Sequence, residues 1–262
     1  MKQLLFCTTL VFSSISYSDL LLTAPPFLEY RHHKSTIEPV TQFLGGLLDS
    51  NVAFSSHESW LAYSKDLRED VAEITLSEPH IAAWMAQPRG LDHEILAVAS
   101  DPLQSLLIVP PDSEETVSSL SRKKICTFPS PSLDAVNVYK LFNNPVFQPQ
   151  VIEVKGSFQE VLNKLDTKVC DAAVLNEALI PNGKYEVAHR FPPSPGAVFT
   201  VSFRQTDDVR SKLKEQLTNP ANLELLQSYY LLVFGYRPSS FVVTTFDDLD
   251  GQQELLDNVW GW

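Results

Sequence analysis

The feature of this sequence that most constrains its fold is the regular alternation of short apolar segments with segments of helical periodicity. The segments DLLLTAPP, NVAFSS and VAEITLS have the length and composition of β-strands, and a helix-like segment follows each of them. A second series begins with KICTF and continues through QVIEV and VCDAAVL. This alternation predicts an α/β fold with largely parallel sheets, arranged as two βαβ lobes.

Two extended segments are predicted to connect the lobes. QSLLIVPP leads out of the first lobe and GAVFTVSF leads back into it. We therefore assign residues 19–111 to the first part of lobe 1, residues 112–196 to lobe 2, and residues 197–262 to the remainder of lobe 1 and an acidic C-terminal tail. Two lobes joined by two strands predict a hinge with a ligand cleft between the lobes, beyond the carboxyl ends of the strands.

Residues 1–18 are typical of a secretory signal peptide. Lys2 is their single charge, a short apolar run follows it, and Ser16 and Ser18 are small residues at the expected cleavage site. Removal of this segment turns the formal net charge from −12 into −13, because only Lys2 is lost. We expect an exported, periplasmic protein, and its acidity argues against a nucleic-acid partner.

Two cysteines remain after removal of the signal peptide, Cys126 and Cys170. Cys126 lies on the first predicted strand of lobe 2, and Cys170 begins the third. These strands are usually neighbours in a doubly wound lobe, and an oxidising compartment favours pairing of the two thiols. We predict a disulfide, although the register of the strands could still separate the cysteines.

The segment FPSPSLDA places Ser130 and Ser132 between a strand and a helix. A helix N-terminus offers free amides and a partial positive charge, which suit an anion. Ser132 could instead serve only as the N-cap of the helix, and Asp134 would repel an anionic ligand. Ligand binding and capping both remain open for these serines.

Other candidate ligand-binding residues also follow predicted strands. Glu78 and His80 end the third strand of lobe 1, where the alternative is a solvated turn with Glu78 capping the next helix. Tyr30 follows the first strand. Ser157 forms a potential capping box with Glu160, and capping is its favoured role. No group of His or Cys has the spacing of a preformed metal site.

The order of these motifs resembles the PhnD-like periplasmic proteins that bind phosphate, phosphite or phosphonate for ABC transporters. TAPPFLEY, EPHIAAW, PSPSLDA, VKGSFQEVLNKL and CDAAVL carry the resemblance between about residues 20 and 230. It implies a type II periplasmic-binding-protein fold, with two doubly wound domains, a two-strand hinge and no catalysis. The sequence departs from the family at Leu133, where a glycine is common, at Phe158, where a histidine is common, and at Asn176, where an aspartate is common.

We expect from these observations a monomeric solute-binding protein that delivers a small oxyanion or polar metabolite to an ABC permease in the inner membrane. Its predicted ligand-binding residues are Tyr30, Glu78, His80, Ser130, Ser132, Ser157 and Asn176. No nucleophile elbow, phosphate loop or metalloprotease motif is present, so we expect neither catalysis nor a cofactor. The alternatives are a carrier of a metal or metal chelate, and a ligand-sensing module for a membrane partner.

Overall fold

The computed structural model describes residues 20–27, 33–88, 90–257 and 259. The predicted signal peptide and Tyr30 lie outside the described residues.

Eleven strands and seven α-helices lie within the described residues. The strands are β1 (Leu20–Thr23), β2 (Val52–Ser55), β3 (Ile74–Ser77), β4 (His93–Ala99), β5 (Ser105–Val109), β6 (Lys124–Thr127), β7 (Gln150–Glu153), β8 (Ala172–Asn176), β9 (Glu186–Arg190), β10 (Val198–Ser202) and β11 (Phe241–Val243). The helices are α1 (Lys34–Leu48), α2 (Trp60–Arg68), α3 (Pro79–Ala86), α4 (Leu133–Leu141), α5 (Phe158–Asp166), α6 (Asp207–Leu217) and α7 (Leu223–Phe234).

Local sequence explains where several helices begin and end. Ser59 and Thr206 cap α2 and α6, because their side chains accept hydrogen bonds from backbone amides in the first turn. Gly235 ends α7 in the left-handed conformation at φ 79°, which a residue without a Cβ adopts easily. Ser35 and Glu38 have the sequence spacing of a capping box, but they do not form one, because α1 starts at Lys34 and both residues lie inside it.

Each lobe is built on one mixed sheet. The first sheet has the strand order β11-β4-β10-β3-β1-β2, and the second has the order β7-β6-β8-β5-β9. The strands next to the connections pair antiparallel in both sheets. These strands are β4 and β10 in the first sheet and β5 and β9 in the second. The two-lobed α/β class predicted from the sequence is therefore confirmed, but the sheets are mixed and not largely parallel.

The connections between the lobes are short and pair with each other. One runs from β4 to β5 and the other from β9 to β10, and reciprocal backbone hydrogen bonds join Leu103 to Ser194. β5 lies in the second sheet, whereas the boundary predicted at residue 111 places it in lobe 1. Gly196 allows the close approach at this hinge, because an added Cβ would lie 2.2 Å from the carbonyl oxygen of Ala99.

The predicted disulfide is confirmed. Cys126 and Cys170 are bonded, with a Cα–Cα distance of 5.8 Å. β6 and β8 are parallel neighbours, and this pairing brings Cys170, two residues before β8, close to Cys126 in β6. Both cysteines are buried in the core of lobe 2.

Candidate functional site in the interlobe cleft

The N-termini of α3 and α4 meet across the cleft between the lobes. β3 of lobe 1 leads into α3 through Glu78, and β6 of lobe 2 leads into α4 through Ser130 and Ser132. Both turns lie at the carboxyl ends of strands in open α/β sheets, where ligands usually bind. The sequence-predicted residues Glu78 and His80 therefore face the sequence-predicted turn of lobe 2.

Glu78 caps a helix of the opposite lobe. It occupies the N-cap position of α3, but its side chain makes no capping hydrogen bond there. Its Oε2 accepts a hydrogen bond from the backbone amide of Leu133 in the first turn of α4, at 3.1 Å. The alternative that Glu78 caps its own helix is wrong, since the free amides of the lobe 2 helix attract the carboxylate instead.

His80 makes the second direct contact between the lobes. Its side chain is fully buried, and Nε2 lies 2.8 Å from the carbonyl oxygen of Pro131. A carbonyl oxygen only accepts, so Nε2 carries the hydrogen. Burial lowers the pKa of His80 to about 4, and the hydrogen bond to Pro131 offsets part of this effect. His80 is therefore neutral at pH 7, and its Nδ1 has no partner among the described residues.

Asp134 brings a second buried carboxyl group to the cleft. Its Oδ1 accepts a hydrogen bond from the Ser105 hydroxyl at 2.6 Å. Burial raises the pKa of Asp134 to about 6, against the lowering effect of that hydrogen bond. Burial, followed by repulsion from Asp134, raises the pKa of Glu78 well above its usual range. Two carboxyl groups from opposite lobes thus share one poorly solvated region.

A small cavity of about 40 Å³ lies between these groups. Glu78, Ser105, Asp134 and Asn176 supply polar atoms to its wall, and Tyr236 adds a ring whose hydroxyl hydrogen bonds with the Tyr230 hydroxyl at 2.9 Å. The remaining wall is mostly apolar and aromatic. It consists of Phe27, Leu103, Phe128, Leu133, Phe158, Leu179, Val233, Phe234 and Gly235.

Aromatic contacts close one side of the cavity. Phe27, which follows β1 in lobe 1, packs against Phe128 of lobe 2 with ring centroids 4.9 Å apart. The Phe27 ring also contacts Trp60 and Phe234 of lobe 1, at 5.0 and 5.6 Å. Phe27 therefore links the aromatic residues of the two lobes, and the cavity has a largely water-excluding wall.

A larger cleft of about 1080 Å³ opens beside the small cavity. Ser130, Trp60, Tyr139 and Lys140 are among its lining residues, and it mixes acidic and basic side chains. The backbone amide of Ser130 donates a hydrogen bond to Glu153 at 3.4 Å. Ser130 therefore faces open space, as expected for a residue of the cleft, while its role in binding stays a prediction.

The other predicted serines are placed as helix-terminal residues. Ser132 is fully buried at the N-cap of α4, where its hydroxyl accepts from the amide of Ala135 and donates to the carbonyl of Phe128, both at 3.3 Å. Ser157 occupies the N-cap of α5 without a side-chain capping hydrogen bond, so the predicted capping box with Glu160 is absent. Neither serine lines the small cavity.

Asn176 lies at the end of β8 and combines two roles. Its Oδ1 accepts a hydrogen bond from the amide of Ala178 at 2.9 Å, which caps a short 3-10 turn. The same side chain lines the small cavity. The structure therefore brings Glu78, His80 and Asn176 close to the cavity, and places Ser130 in the neighbouring cleft.

Sequence reasoning missed several residues of the cavity. Ser105 was assigned to a connecting strand, and Phe128, Phe234 and Tyr236 carried no recognisable motif. Asp134 was noted only as a group that would repel an anion. The signal available in the sequence was a carboxylate in the first turn of a helix that directly follows a strand.

The C-terminal segment contacts both lobes near this site. Leu249 is buried against lobe 1 among Ala82, Ala83, Ile95 and Val198. A 3-10 turn at Gln253–Leu256 follows, and Leu255 packs with Leu133 and Val136 of α4 in lobe 2. Glu254, Leu255 and Asp257 also line the larger cleft. The tail therefore extends across the interface between the lobes.

The described residues contain no cluster of three or more His, Cys, Asp or Glu side chains that could hold a metal ion. None of the helices in the described part of the chain is both long and apolar enough to cross a bilayer.

Two mixed α/β sheets, a pair of connecting segments and a cavity enclosed between the lobes define the periplasmic substrate-binding protein fold. Solved structures share this fold. XAC2383 from Xanthomonas citri bound to ATP has a TM-score of 0.71 and 16% identity, over 92% of this chain and 99% of that chain. A binding protein component of an ABC phosphonate transporter from Pseudomonas aeruginosa has a TM-score of 0.69 and 16% identity, over 90% and 84% of the two chains.

PhnD1 from Prochlorococcus marinus, solved with methylphosphonate, has a TM-score of 0.69 and 14% identity, over 91% of this chain and 97% of that chain. The resemblance to phosphonate-binding proteins is thus confirmed at the level of the fold. No protein-family model matches the sequence, and no curated protein matches it.

Proposed function

We propose that this protein is the periplasmic solute-binding component of an ABC transporter, which captures a small molecule by closing its two lobes. The observation that carries the proposal is the cavity between the lobes, with polar groups from both of them on its wall. A ligand that contacts both lobes stabilises the closed form over the open one, and the hinge permits that change.

The direct contacts between the lobes support closure as the binding motion. Glu78 and His80 of lobe 1 each hydrogen bond to the turn that begins α4 in lobe 2. The aromatic contact between Phe27 and Phe128 adds to these two hydrogen bonds, and both lobes contribute to the wall of the cavity. Such an interface is weak enough to open and specific enough to define one closed geometry.

The chemistry of the cleft disfavours a small oxyanion at the N-terminus of α4. The backbone amide of Leu133, one of the free donors of that helix, is already bound by the Glu78 carboxylate. A phosphate or phosphonate at this point would also meet two buried acidic side chains, Glu78 and Asp134. Of the two ligand classes expected from the sequence, a polar metabolite is therefore favoured.

Native mass spectrometry of protein purified gently from the exporting cell tests the proposal. We expect a bound small molecule, seen as an added mass that disappears when the same sample is denatured. Small-angle X-ray scattering should show a smaller radius of gyration for this sample than for protein that has been unfolded, dialysed and refolded. Equal masses and equal radii, before and after incubation with a low-molecular-weight cell extract, would contradict the proposal.

A further inference from the structure

The small interlobe cavity has acidic groups on both sides and no charge to balance them. Glu78 and Asp134 are 4% and 7% exposed. No Lys, Arg or His forms an ion pair with either of them among the described residues. One oxygen of each accepts a hydrogen bond, from the Leu133 amide and the Ser105 hydroxyl. The second oxygen of each carboxyl has no hydrogen bond within the described ranges.

We propose that this cavity binds the primary ammonium group of a small organic amine, held between Glu78 of lobe 1 and Asp134 of lobe 2. The inference rests on the proposed solute-binding function and names the chemical class of its ligand. A cation placed between the two carboxylates compensates a buried charge on each lobe at once. Ligand binding and lobe closure are then the same event.

The polar groups on the wall match the donors of a primary ammonium group. Such a group has three N–H donors and no acceptor. Glu78 and Asp134 provide two acceptors. Burial disfavours the charge of both in the empty cavity, and a cation bound between them favours their ionised forms. The hydroxyl oxygen of Ser105 or Tyr236 or the side-chain oxygen of Asn176 provides a third acceptor. A quaternary ammonium ion has no N–H donor, so it would leave the second oxygen of each carboxylate without a hydrogen bond.

The aromatic part of the wall suits the same ligand. Phe27, Phe128, Phe158 and Tyr236 surround the cavity, and the faces of aromatic rings attract organic cations. They also provide apolar contact for the carbon atoms next to the nitrogen. The volume of about 40 Å³ limits the enclosed part to an ammonium group and its first carbon atoms. A longer amine would have to extend into the larger cleft.

Two competing ligand types fit this cavity poorly. An anion would face two carboxyl groups, and the helix amide that could attract it is bound by Glu78. A metal ion requires several hard or nitrogen ligands, and no group of three or more such side chains is present in the described residues. The aliphatic and phenylalanine side chains that form most of the wall supply no ligand to a metal.

The test uses simple ions that differ in charge and in N–H donors. Ligand-free protein, obtained by unfolding and refolding, is titrated at pH 7.5 and constant ionic strength with n-propylammonium, tetramethylammonium, inorganic phosphate and methylphosphonate. Binding is followed by the shift in melting temperature and by the radius of gyration in X-ray scattering. Because n-propylammonium has few atoms, we expect binding in the millimolar range.

Three variants localise the site. Glu78→Gln retains an oxygen that can accept from the Leu133 amide, and Asp134→Asn retains an oxygen that can accept from Ser105, but each removes one charge. Glu215→Gln is the control for loss of one acidic charge, because Glu215 is exposed on α6 and lines neither the small cavity nor the larger cleft. We expect each of the first two substitutions to weaken n-propylammonium binding by at least about tenfold, as for one charged hydrogen bond. Glu215→Gln should leave it unchanged.

The outcomes separate this inference from the proposed function. Stabilisation and compaction by n-propylammonium alone, lost in Glu78→Gln and Asp134→Asn, support the ammonium site. Binding of phosphate or methylphosphonate with compaction, and no response to n-propylammonium, overturns the ammonium site and leaves solute binding intact. Equal responses to n-propylammonium and tetramethylammonium also overturn it, because the hydrogen bonds to the carboxylates would then be unnecessary.

Discussion

The Nε2 atom of His80 donates a hydrogen bond to the carbonyl oxygen of Pro131, 2.8 Å away, and thereby joins α3 of lobe 1 to the turn before α4 of lobe 2. The histidine is fully buried and neutral, and the carbonyl it binds belongs to the turn that the sequence singled out. This bond and the neighbouring bond from the Leu133 amide to Glu78 define the closed contact between the lobes.

Replacement His80→Ala should loosen that contact. The carbonyl of Pro131 loses its donor, and the cost of an unsatisfied buried group is about 1–3 kcal/mol. We expect a lower free energy of unfolding in urea titrations and a larger radius of gyration in ligand-free protein. His189→Ala is the control, because His189 lies on the edge strand β9 of lobe 2. An unchanged radius for His80→Ala would show that the contact does not hold the lobes together.

The pH dependence of stability should reveal the buried carboxyl group of Asp134. Its pKa is about 6 in the folded protein, against 3.8 as the ordinary value, so the folded state binds more protons between these pH values. The free energy of unfolding contributed by this group therefore falls as pH rises through the window. The full fall corresponds to about 3 kcal/mol.

Two ionisable groups near Asp134 also make the stability depend on pH in this range. Glu78 has a raised pKa and acts in the same direction. His80 has a pKa lowered from 6.5 to about 4, so its contribution to stability is lost as pH falls through that range. The free energy of unfolding of the wild-type protein therefore combines contributions that change in opposite directions with pH. The stability of Asp134→Asn relative to wild type should therefore rise between pH 4 and pH 6, and a constant difference would contradict the assignment.

Ser132→Ala should destabilise the protein whether or not a ligand is bound. The hydroxyl of Ser132 caps α4 and donates to the Phe128 carbonyl, and loss of an N-cap costs about 1 kcal/mol. Ser130→Ala is the matched control, because no hydrogen bond of its hydroxyl is found among the described residues. Thermal unfolding of both variants, with and without n-propylammonium, measures their stability and their response to the ligand. Normal stability with weakened binding in Ser132→Ala would instead indicate a ligand-binding serine.

Reduction of the Cys126–Cys170 disulfide should lower stability substantially. The bond joins residues separated by 44 positions, and closure of a loop of that length contributes about 4 kcal/mol in the chain-entropy model. Urea titrations of the oxidised and reduced protein measure the difference. The double variant Cys126→Ala/Cys170→Ala should be insensitive to reductant. Two free thiols in unreduced, denatured protein would contradict the disulfide.

Removal of residues 251–262 should favour the open form. Leu249 anchors the tail on lobe 1, and Leu255 beyond it packs on α4 of lobe 2. The truncation removes the contact with α4 and also the packing of Gln253–Leu256 on α3 of lobe 1, and it retains Leu249. We expect a larger radius of gyration and easier exchange of backbone amide hydrogens in α4. Leu255→Ala should produce a smaller change in the same direction, and Leu61→Ala, which alters an exposed leucine of α2, should produce none.

The sequence determined the elements of the two lobes and the pairing of the cysteines. Strands such as β3, β6 and β8 are short apolar runs followed by helical periodicity, and this pattern depends only on neighbouring residues. The same pattern does not predict β9 and β11. These strands lie at sheet edges and expose much of their surface, so their residues need not be apolar. It also placed β5 in the wrong sheet, because an apolar run does not specify its pairing partner.

The contacts of each candidate side chain depend on how the two lobes fold and pack together. The sequence places Glu78 before α3 and Ser132 before α4. Glu78 caps α4 because the two lobes meet in the folded protein. In the sequence, Asp134 is an ordinary acidic residue in the first turn of a helix. In the folded protein it lies near Glu78, and burial raises its pKa. The physical reason is that burial and charge interaction depend on residues 50 or more positions apart along the chain, and periodicity does not report such distances.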